Sequence, residues 1–278
     1  MTNFELNKVT CRIIKSEYIE MIIHSFITKN LILMGLLVSL LGCHSGSAEV
    51  IYQNAQYKNM HLDIFKISDF RQLKLFLNDQ NQQPYGYFKN VQKDLNACQS
   101  LVFAMNAGMY HPNYQPVGLY IENAQQLKAL NTEKGFGNFF MQPNGVLAWN
   151  SKNAVIATTD ELQRSNEFKN LNPLYATQSG PMLVSHGQVN ALFQKNAQSR
   201  KIRNGVGIKN QTLYFVISSE PINFYDFAQV FKTQLKIDNA LYLDGTISSA
   251  YHPKLDSPKQ HFKLGPMVGW VNNENCAH

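Results

Sequence analysis

The sequence predicts an α+β fold, in the form of a single sheet-rich domain of many short mixed strands with few helices. Short apolar runs broken by Gly, Asn and Pro recur from residue 101 to residue 271, which is the pattern of short strands. One apolar stripe at helical spacing, following Asn223, predicts a convincing helix that packs on the core. The chain has 278 residues, 44% of them hydrophobic, which suffices for one core and excludes disorder as the main state.

The N-terminal segment predicts an export leader. Leu31–Leu41 is an uncharged apolar run of eleven residues. It is shorter than the roughly 20 residues of a membrane-spanning helix and typical of a secretory signal. The run ends at Gly42-Cys43, which resembles the lipobox of bacterial lipoproteins, in which the Cys becomes the lipid-carrying N-terminus. An ordinary signal peptide with an incidental Cys is the alternative, and either Met1 or Met21 is the start.

These features divide the chain into a leader (1–42), a polar tether (43–56) and a folded domain (57–278). Lipidation of Cys43 predicts an exported lipoprotein of the cell envelope, bound to the membrane through its N-terminal lipid. His44, rather than Asp, follows this Cys and favours the outer membrane, facing the periplasm, if the source is Gram-negative.

The folded domain contains strand and helix signals in a clear order. Alternating residues predict strand structure over 57–76, with a short helix over 70–77 at its end. Phe88, Val91 and Leu95 have helical spacing, and the apolar run Leu101–Met105 predicts a strand covered on both faces. Further strands are predicted at Gly118–Ile121, Gly145–Trp149, Ala154–Ala157, Met182–Ser185, Gly205–Ile208, Leu213–Ser218, Ala240–Leu243 and Met267–Val271.

Charge and cysteine content exclude several classes of protein. Lys and Arg exceed Asp and Glu by 25 − 19 = 6, and no basic run is longer than Arg200-Lys201, so nucleic acid is not a predicted partner. The chain lacks CxxC and HExxH and its His residues are scattered, so neither a metal site nor a cofactor is predicted. Export leaves Cys98 and Cys276 as two thiols in an oxidising compartment, where we expect them to form a disulfide.

Four stretches place small residues and a polar group at the end of an apolar strand. They are NAGMYH from Asn106, QSGPMLV from Gln178, RNGVGI from Arg203 and LDGTISS from Leu243. Each polar residue alone is compatible with a turn or a helix cap. Together, an amide, a guanidinium and a carboxylate at strand ends predict a site for an anionic, hydroxyl-rich substrate. The chain has no GxSxG and no P-loop, which argues against a serine esterase and a P-loop nucleotide hydrolase.

The same motifs carry a family resemblance. NAGMY, PVGLY, GNFFMQPNGV, QSGPMLV, RNGVGI and LDGTISS occur in the order seen in the phosphodiester glycosidase family, and the chain resembles its bacterial exported branch. The similarity runs from about Asp63 to Val271. Where many relatives have a Gly-rich LDGGGS-like stretch, this chain has Thr246 and Ile247, which alters the wall of the loop and puts the sugar specificity in doubt.

The resemblance implies hydrolysis of the bond between a sugar anomeric carbon and a phosphodiester oxygen. Arg203 would then neutralise the departing phosphate, and Asp244 would stabilise the oxocarbenium-like sugar, capture it or activate water. Glu220 is the best available second carboxylate. Ligand contacts are expected from the side chains or backbone N–H groups of Asn106, Gln178, Ser179, Gly180, Gly245 and Ser248.

A non-catalytic glycan-binding envelope lipoprotein is the alternative function, because the chain lacks the glycines that relatives have after Gly245. A purely structural envelope protein is a third. In the two leading hypotheses the partner is a carbohydrate or a sugar phosphate.

Overall fold

The computed structural model describes residues 50–245, 247–255, 260–273 and 276. The predicted leader, the lipidation site Cys43 and the tether up to residue 49 lie outside the described residues. No helix in the described part is both long and apolar enough to cross a bilayer.

Sixteen strands are the main regular structure of the described chain. They are β1 (Ile51–Tyr57), β2 (Met60–Ile67), β3 (Leu73–Phe76), β4 (Ser100–Asn106), β5 (Tyr120–Glu122), β6 (Gln125–Lys128), β7 (Gly145–Trp149), β8 (Ala154–Thr158), β9 (Tyr175–Ser179), β10 (Met182–Ser185), β11 (Gln188–Val189), β12 (Asn204–Lys209), β13 (Thr212–Ser218), β14 (Asn239–Asp244), β15 (Ala250–Tyr251) and β16 (Met267–Asn272).

Four short α-helices connect them: α1 (Phe88–Asp94), α2 (Thr159–Arg164), α3 (Glu167–Leu171) and α4 (Phe224–Gln229). A 3₁₀ turn spans Asn138–Phe140, and α4 continues as a π-helical segment, Val230–Leu235. Asn223 caps α4, as predicted, by accepting the N–H of Asp226 at 2.8 Å. The predominance of short strands over helices confirms the predicted α+β class.

The strands form three sheets. The seven-stranded sheet has the order β1-β2-β13-β12-β14-β10-β11, the four-stranded sheet β15-β4-β16-β3, and the five-stranded sheet β6-β5-β9-β7-β8. All of these described strand pairs are antiparallel, whereas we expected strands of mixed direction. Hairpins with short turns, such as β12–β13 and β7–β8, account for much of this pattern.

One hydrophobic core joins the three sheets. Alternate residues of β2 show how: Phe65 and Ile67 point into the shared core, while Leu62 and Ile64 pack on the opposite face of the sheet. That opposite face is covered by α4 and the π-helical segment, and the other two sheets are backed by α1 and by α2 with α3. The strand ends between the sheets are therefore held from several sides.

Two segments differ from the sequence-based expectation. The predicted helix over 70–77 is wrong: residues 73–76 form β3, because Leu73 and Leu75 alternate into the shared core. Residues 51–56, which we had assigned to the tether, belong to β1, an edge strand whose exposed polar side chains gave a tether-like composition. The expected bond between Cys98 and Cys276 is present, with Cα atoms 4.9 Å apart.

Candidate active site

The candidate site lies where two sheets meet at their strand ends. Asn204 begins β12 and is paired with Asp244, which ends the neighbouring antiparallel strand β14. A register shift between Asn204 and Gly205 marks an irregularity at this end of the ladder. Asn106 ends β4 in the four-stranded sheet. The site is therefore built across the junction between the seven-stranded and four-stranded sheets.

Two buried amides bridge this junction. Asn204 donates from Nδ2 to Asn106 Oδ1 at 2.7 Å, and neither residue has exposed surface. Asn106 Oδ1 also accepts the N–H of Ser249 at 2.9 Å, and Asn204 Oδ1 accepts the N–H of Asp244 at 2.9 Å. The pair therefore fixes both ends of the loop that carries Asp244. The sequence analysis selected Asn106 but not Asn204, although Asn204 stands in the RNGVGI motif.

Asp244 carries a partly buried carboxylate. Its Oδ1 accepts the N–H of Gly245 at 2.5 Å. Burial raises the pKa of Asp244 to about 6, and the bond from Gly245 acts in the opposite direction without cancelling the effect. Over the described ranges, no Lys, Arg or His forms an ion pair with this carboxylate. The carboxylate is thus mostly ionised at neutral pH, and no described basic side chain pairs with it.

The loop after Asp244 is held by close packing. Ser248 donates from its hydroxyl to the carbonyl of Asp244 at 2.8 Å. A Cβ at Gly245 would lie 2.0 Å from the hydroxyl oxygen of Tyr242, so only glycine fits there. Ser248 and Gly245 thus shape the backbone around the carboxylate.

Arg203 lies beneath this loop with 1% of its surface exposed. Its guanidinium carbon is 3.6 Å from the centroid of the Phe224 ring, and it donates to Ile222 O at 2.8 Å and to Tyr242 Oη at 3.1 Å. Burial lowers the pKa of Arg203, while Tyr242 works in the opposite direction. The arginine is close to the site but presents little surface for neutralising a departing phosphate, the role that the resemblance implied.

Gln178 and Ser179 are buried supports in this structure. Gln178 Oε1 accepts two backbone N–H groups, of Leu119 and Asn131, both at 2.9 Å, and its Nε2 donates to Asn131 O at 2.7 Å. Ser179 donates to Leu243 O at 2.8 Å. Because these polar atoms are already paired within the protein, Gln178 fixes the segments at Leu119 and Asn131, and Ser179 fixes the strand that precedes Asp244.

Gly180 owes its place to packing rather than to a ligand contact. A Cβ there would come within 2.7 Å of Asn144 Cβ and 2.8 Å of Phe139 O. It thus allows the chain after β9 to pass close to the segment before β7.

Glu220 is not brought to Asp244. Its carboxylate accepts the backbone N–H of His61 at 2.7 Å and lies 2.9 Å from His61 Nδ1. The hydrogen bond to His61 lowers the pKa of Glu220, and burial acts weakly against it. Glu220 follows β13, which β12 separates from β14, so about two strand spacings, roughly 10 Å, lie between the strands that carry the two carboxylates.

The structure adds an aromatic residue that the sequence analysis did not select. Tyr110 donates to Lys263 O at 2.7 Å, stacks on Tyr114 with ring centroids 5.8 Å apart, and packs its other side against Gly265. Burial raises the pKa of Tyr110, and the negative charge of Asp244 raises it further, which places the two residues within electrostatic range. Tyr110 stands in the NAGMY motif, but an aromatic residue in a loop gives no signal of its own. In the described residues, no three His, Cys, Asp or Glu side chains are arranged to hold a metal ion.

Comparison with known proteins agrees with this architecture. The chain is 39% identical over 197 residues to an uncharacterised protein of Escherichia coli strain K12, YigE, covering 70% of this chain and 76% of that protein. Among solved structures, it resembles the zebrafish N-acetylglucosamine-1-phosphodiester alpha-N-acetylglucosaminidase catalytic domain, auto-inhibited by its pro-peptide. The TM-score is 0.55 and the identity 13%, over 82% of this chain and 85% of that one.

A second solved structure has a related fold. A hypothetical protein from Synechocystis matches with a TM-score of 0.51 and 15% identity, over 79% of this chain and 61% of that chain. The sequence profile of the phosphodiester glycosidase family matches residues 99–268, a range that contains Asn106, Asn204 and Asp244. The chain therefore belongs to the phosphodiester glycosidase family.

Proposed function

We propose that this protein is a hydrolase that cleaves the glycosidic bond of sugar-1-phosphodiesters in envelope or extracellular glycans. The observation that carries the proposal is the carboxylate of Asp244, positioned at the junction of two sheets by the buried amides of Asn106 and Asn204. Membership of the family supports the reaction class.

A single carboxylate is chemically sufficient for this reaction. The bond that breaks joins the anomeric carbon to a phosphodiester oxygen, and water supplies the hydroxyl that replaces it. The leaving group is a phosphate monoester, which departs as a stable anion, so it needs no general acid, unlike the alcohol that leaves in ordinary glycoside hydrolysis. Asp244 can then stabilise the oxocarbenium-like transition state or activate the water. Glu220, paired with His61, is not required by this scheme.

The proposed role predicts a pH dependence. Asp244 must be ionised in all of its proposed roles, and its pKa lies at about 6. Hydrolysis should therefore fall as the pH drops through about 6 and level off above it.

The decisive experiment compares the wild-type protein with Asp244→Asn on a nitrophenyl sugar phosphate and a UDP-linked sugar. Asp244→Asn keeps the acceptor for the Gly245 N–H, so we expect a folded protein whose sugar release falls by at least about 10³-fold. Glu122→Gln is the matched control, because Glu122 is the other carboxylic acid whose pKa burial raises strongly, to about 7, and it lies in a different sheet. Turnover by Asp244→Asn at the wild-type rate would reject the proposal.

The predicted leader supports a location for this activity in the cell envelope. We propose that the protein is exported and bound through lipidated Cys43, with the folded domain at the outer membrane facing the periplasm. Incorporation of a radiolabelled fatty acid should be lost in Cys43→Ala, and labelling that persists in this variant would contradict the anchor.

One observation favours the alternative, a non-catalytic glycan-binding lipoprotein. Arg203, the expected phosphate contact, is 1% exposed and presents almost no surface to a ligand. Calorimetry with sugar phosphates separates the two functions, because binding without product over hours would favour the alternative.

A further inference from the structure

A cavity of about 270 Å³ lies between α1 and the strand β15, outside the site at Asp244. It is lined by two tyrosines, one phenylalanine and three long polar side chains: Tyr87, Tyr251, Phe88, Lys89, Gln92 and Gln260. This volume accommodates about one sugar ring.

The cavity is pre-formed by Gln260. This side chain accepts the N–H of Phe88 at 3.0 Å and donates to Gly86 O at 2.8 Å, so its amide ties the chain before β16 to the start of α1. Leu264 reinforces the tie by donating its N–H to Gly86 O at 2.8 Å. A ligand entering the cavity would not have to order these walls, which lowers the cost of binding.

The cavity is connected along the chain to the loop that carries Asp244, because Tyr251 of its lining follows that loop. Ser249 in that loop donates its N–H to Asn106, and Tyr251 follows two residues later in β15. At about 3.3 Å per residue, Tyr251 lies roughly 7 Å along the chain from Ser249. Ile247 of the same loop packs in one apolar cluster with Phe88 and Tyr251. The loop after Asp244 therefore shares its packing with two residues that line the cavity.

The chemistry of the walls suits a saccharide. Tyr87 and Tyr251 are half-buried, so their rings are held in place while part of each remains accessible. Aromatic faces pack against the C–H face of a sugar, and the exposed Gln92 amide can bond its hydroxyls. The ammonium of Lys89 lies 5.4 Å from the centroid of the Tyr87 ring and provides a positive charge for a phosphate on the same chain.

We propose that this cavity is a second saccharide-binding subsite, which holds the neighbouring sugar unit of an oligomeric, phosphate-containing glycan. The inference rests on the proposed function and extends it: the substrate is a glycan chain rather than a free sugar phosphate or a nucleotide sugar. Ile247, which stands where many relatives have glycine, packs in the apolar cluster that also holds Phe88 and Tyr251 of the cavity lining.

The test measures binding in the full chain with Asp244→Asn as background, so that no substrate is consumed. The probes are an array of envelope oligosaccharides, disaccharides and longer, with and without phosphate, and a monosaccharide 1-phosphate. We expect at least one phosphorylated oligosaccharide to bind more tightly than the monosaccharide 1-phosphate. Tyr251→Ala and Tyr87→Ala should weaken that oligosaccharide by about tenfold or more and leave the monosaccharide 1-phosphate unchanged. Lys89→Gln should weaken phosphorylated oligosaccharides more than neutral ones.

Tyr214→Ala and Lys66→Gln are matched controls, because Lys66 lies 5.7 Å from the Tyr214 ring in the same arrangement, on the ladder between β2 and β13. The proposal is overturned if no oligosaccharide binds more tightly than the monosaccharide 1-phosphate, or if the tyrosine variants bind the oligosaccharides as the controls do. It is also overturned if they weaken both probes equally. A failure of the proposed function gives a different result: oligosaccharide binding persists at the cavity, but the wild-type protein releases no sugar.

Discussion

Asp244 is a carboxylate kept partly buried at a cost in stability. Its pKa is about 6 in the folded protein, against about 3.9 in an unfolded chain. Below about pH 4 both states are protonated and there is no penalty. The penalty grows between about pH 4 and 6, because the unfolded state ionises first, and it is constant above that range, at about 2–3 kcal/mol.

We therefore predict that Asp244→Asn is more stable than the wild-type protein at neutral pH. Urea unfolding should show a gain of about 2–3 kcal/mol above pH 7, which shrinks toward zero near pH 4 because only the wild-type residue titrates. Glu122→Gln should also gain stability, with a gain that begins above about pH 4 and grows up to about pH 7, because the pKa of Glu122 is about 7 in the folded protein. A gain for Asp244→Asn that is the same at both ends of the pH range would show that the pKa of this residue is not raised.

For Arg203 we predict the opposite effect, namely that substitution lowers the stability of the protein. Its guanidinium is stacked on Phe224 and donates to Ile222 O and Tyr242 Oη within the protein. Arg203→Lys loses the planar stacking and leaves buried acceptors unpaired, so the free energy of unfolding should fall by about 2–4 kcal/mol. Urea unfolding measures this loss, and the exposed Arg200→Lys should change stability by less than about 0.5 kcal/mol.

A different result would assign Arg203 to the substrate. If Arg203→Lys is as stable as the wild-type protein yet loses sugar release, the guanidinium contacts the phosphodiester during the reaction, as the family resemblance implied.

At the scale of elements, Gly207 allows neighbouring residues to pack closely on β12. A Cβ at Gly207 would lie 2.8 Å from Ile237 Cγ2 and 2.9 Å from Phe231 Cδ1. The chain around the π-helical segment can therefore pack directly on the strand that begins with Asn204. Gly207→Ala should destabilise the protein by about 1–3 kcal/mol in urea unfolding.

Coupling to Ile237 identifies the cause. Because Ile237→Ala removes the clashing methyl groups, the double variant Gly207→Ala/Ile237→Ala should cost less than the sum of the two single variants. Strict additivity would mean that the strand backbone, rather than the close contact, is responsible for the loss.

The elements that were predicted correctly have local signals. β4, β7, β10, β12, β13, β14 and β16 are continuous apolar runs, and α4 has both a cap and a stripe. β9 was missed because Gln178 and Ser179 end it, and polar residues normally indicate a turn. Their partners, Asn131 and Leu243, are distant in sequence, so nothing local showed that these side chains are paired inside the protein.

Residues of the candidate site could likewise be predicted only where they have a local sequence signal. Asp244 and Asn106 stand at the ends of apolar runs, where a polar residue is conspicuous. The role of Asn204 depends on a contact with Asn106 across 98 residues, and the separation of Glu220 from Asp244 depends on the order of strands in the sheet. No local sequence pattern indicates either the contact between Asn204 and Asn106 or the separation of Glu220 from Asp244.

At the scale of the whole molecule, the disulfide connects the C-terminal segment to the chain just before β4. The residues it joins are 178 apart in sequence, and β4 leads directly to Asn106. A cross-link that closes so long a loop removes many conformations from the unfolded chain. Loss of the disulfide should therefore lower the free energy of unfolding of the whole protein and leave the hydrogen bonds at the site in place.

We predict that the double variant Cys98→Ser/Cys276→Ser unfolds in urea with a free energy lower by about 2–5 kcal/mol. Adding a reductant to the wild-type protein should reproduce the loss, and the same reductant should leave the double variant unchanged. Below its unfolding midpoint the double variant should still hydrolyse a sugar phosphodiester, because the amide contacts of Asn106 and Asn204 do not involve either cysteine. Activity lost well before the unfolding transition would instead mean that the cross-link positions β4, and with it Asn106, for the reaction.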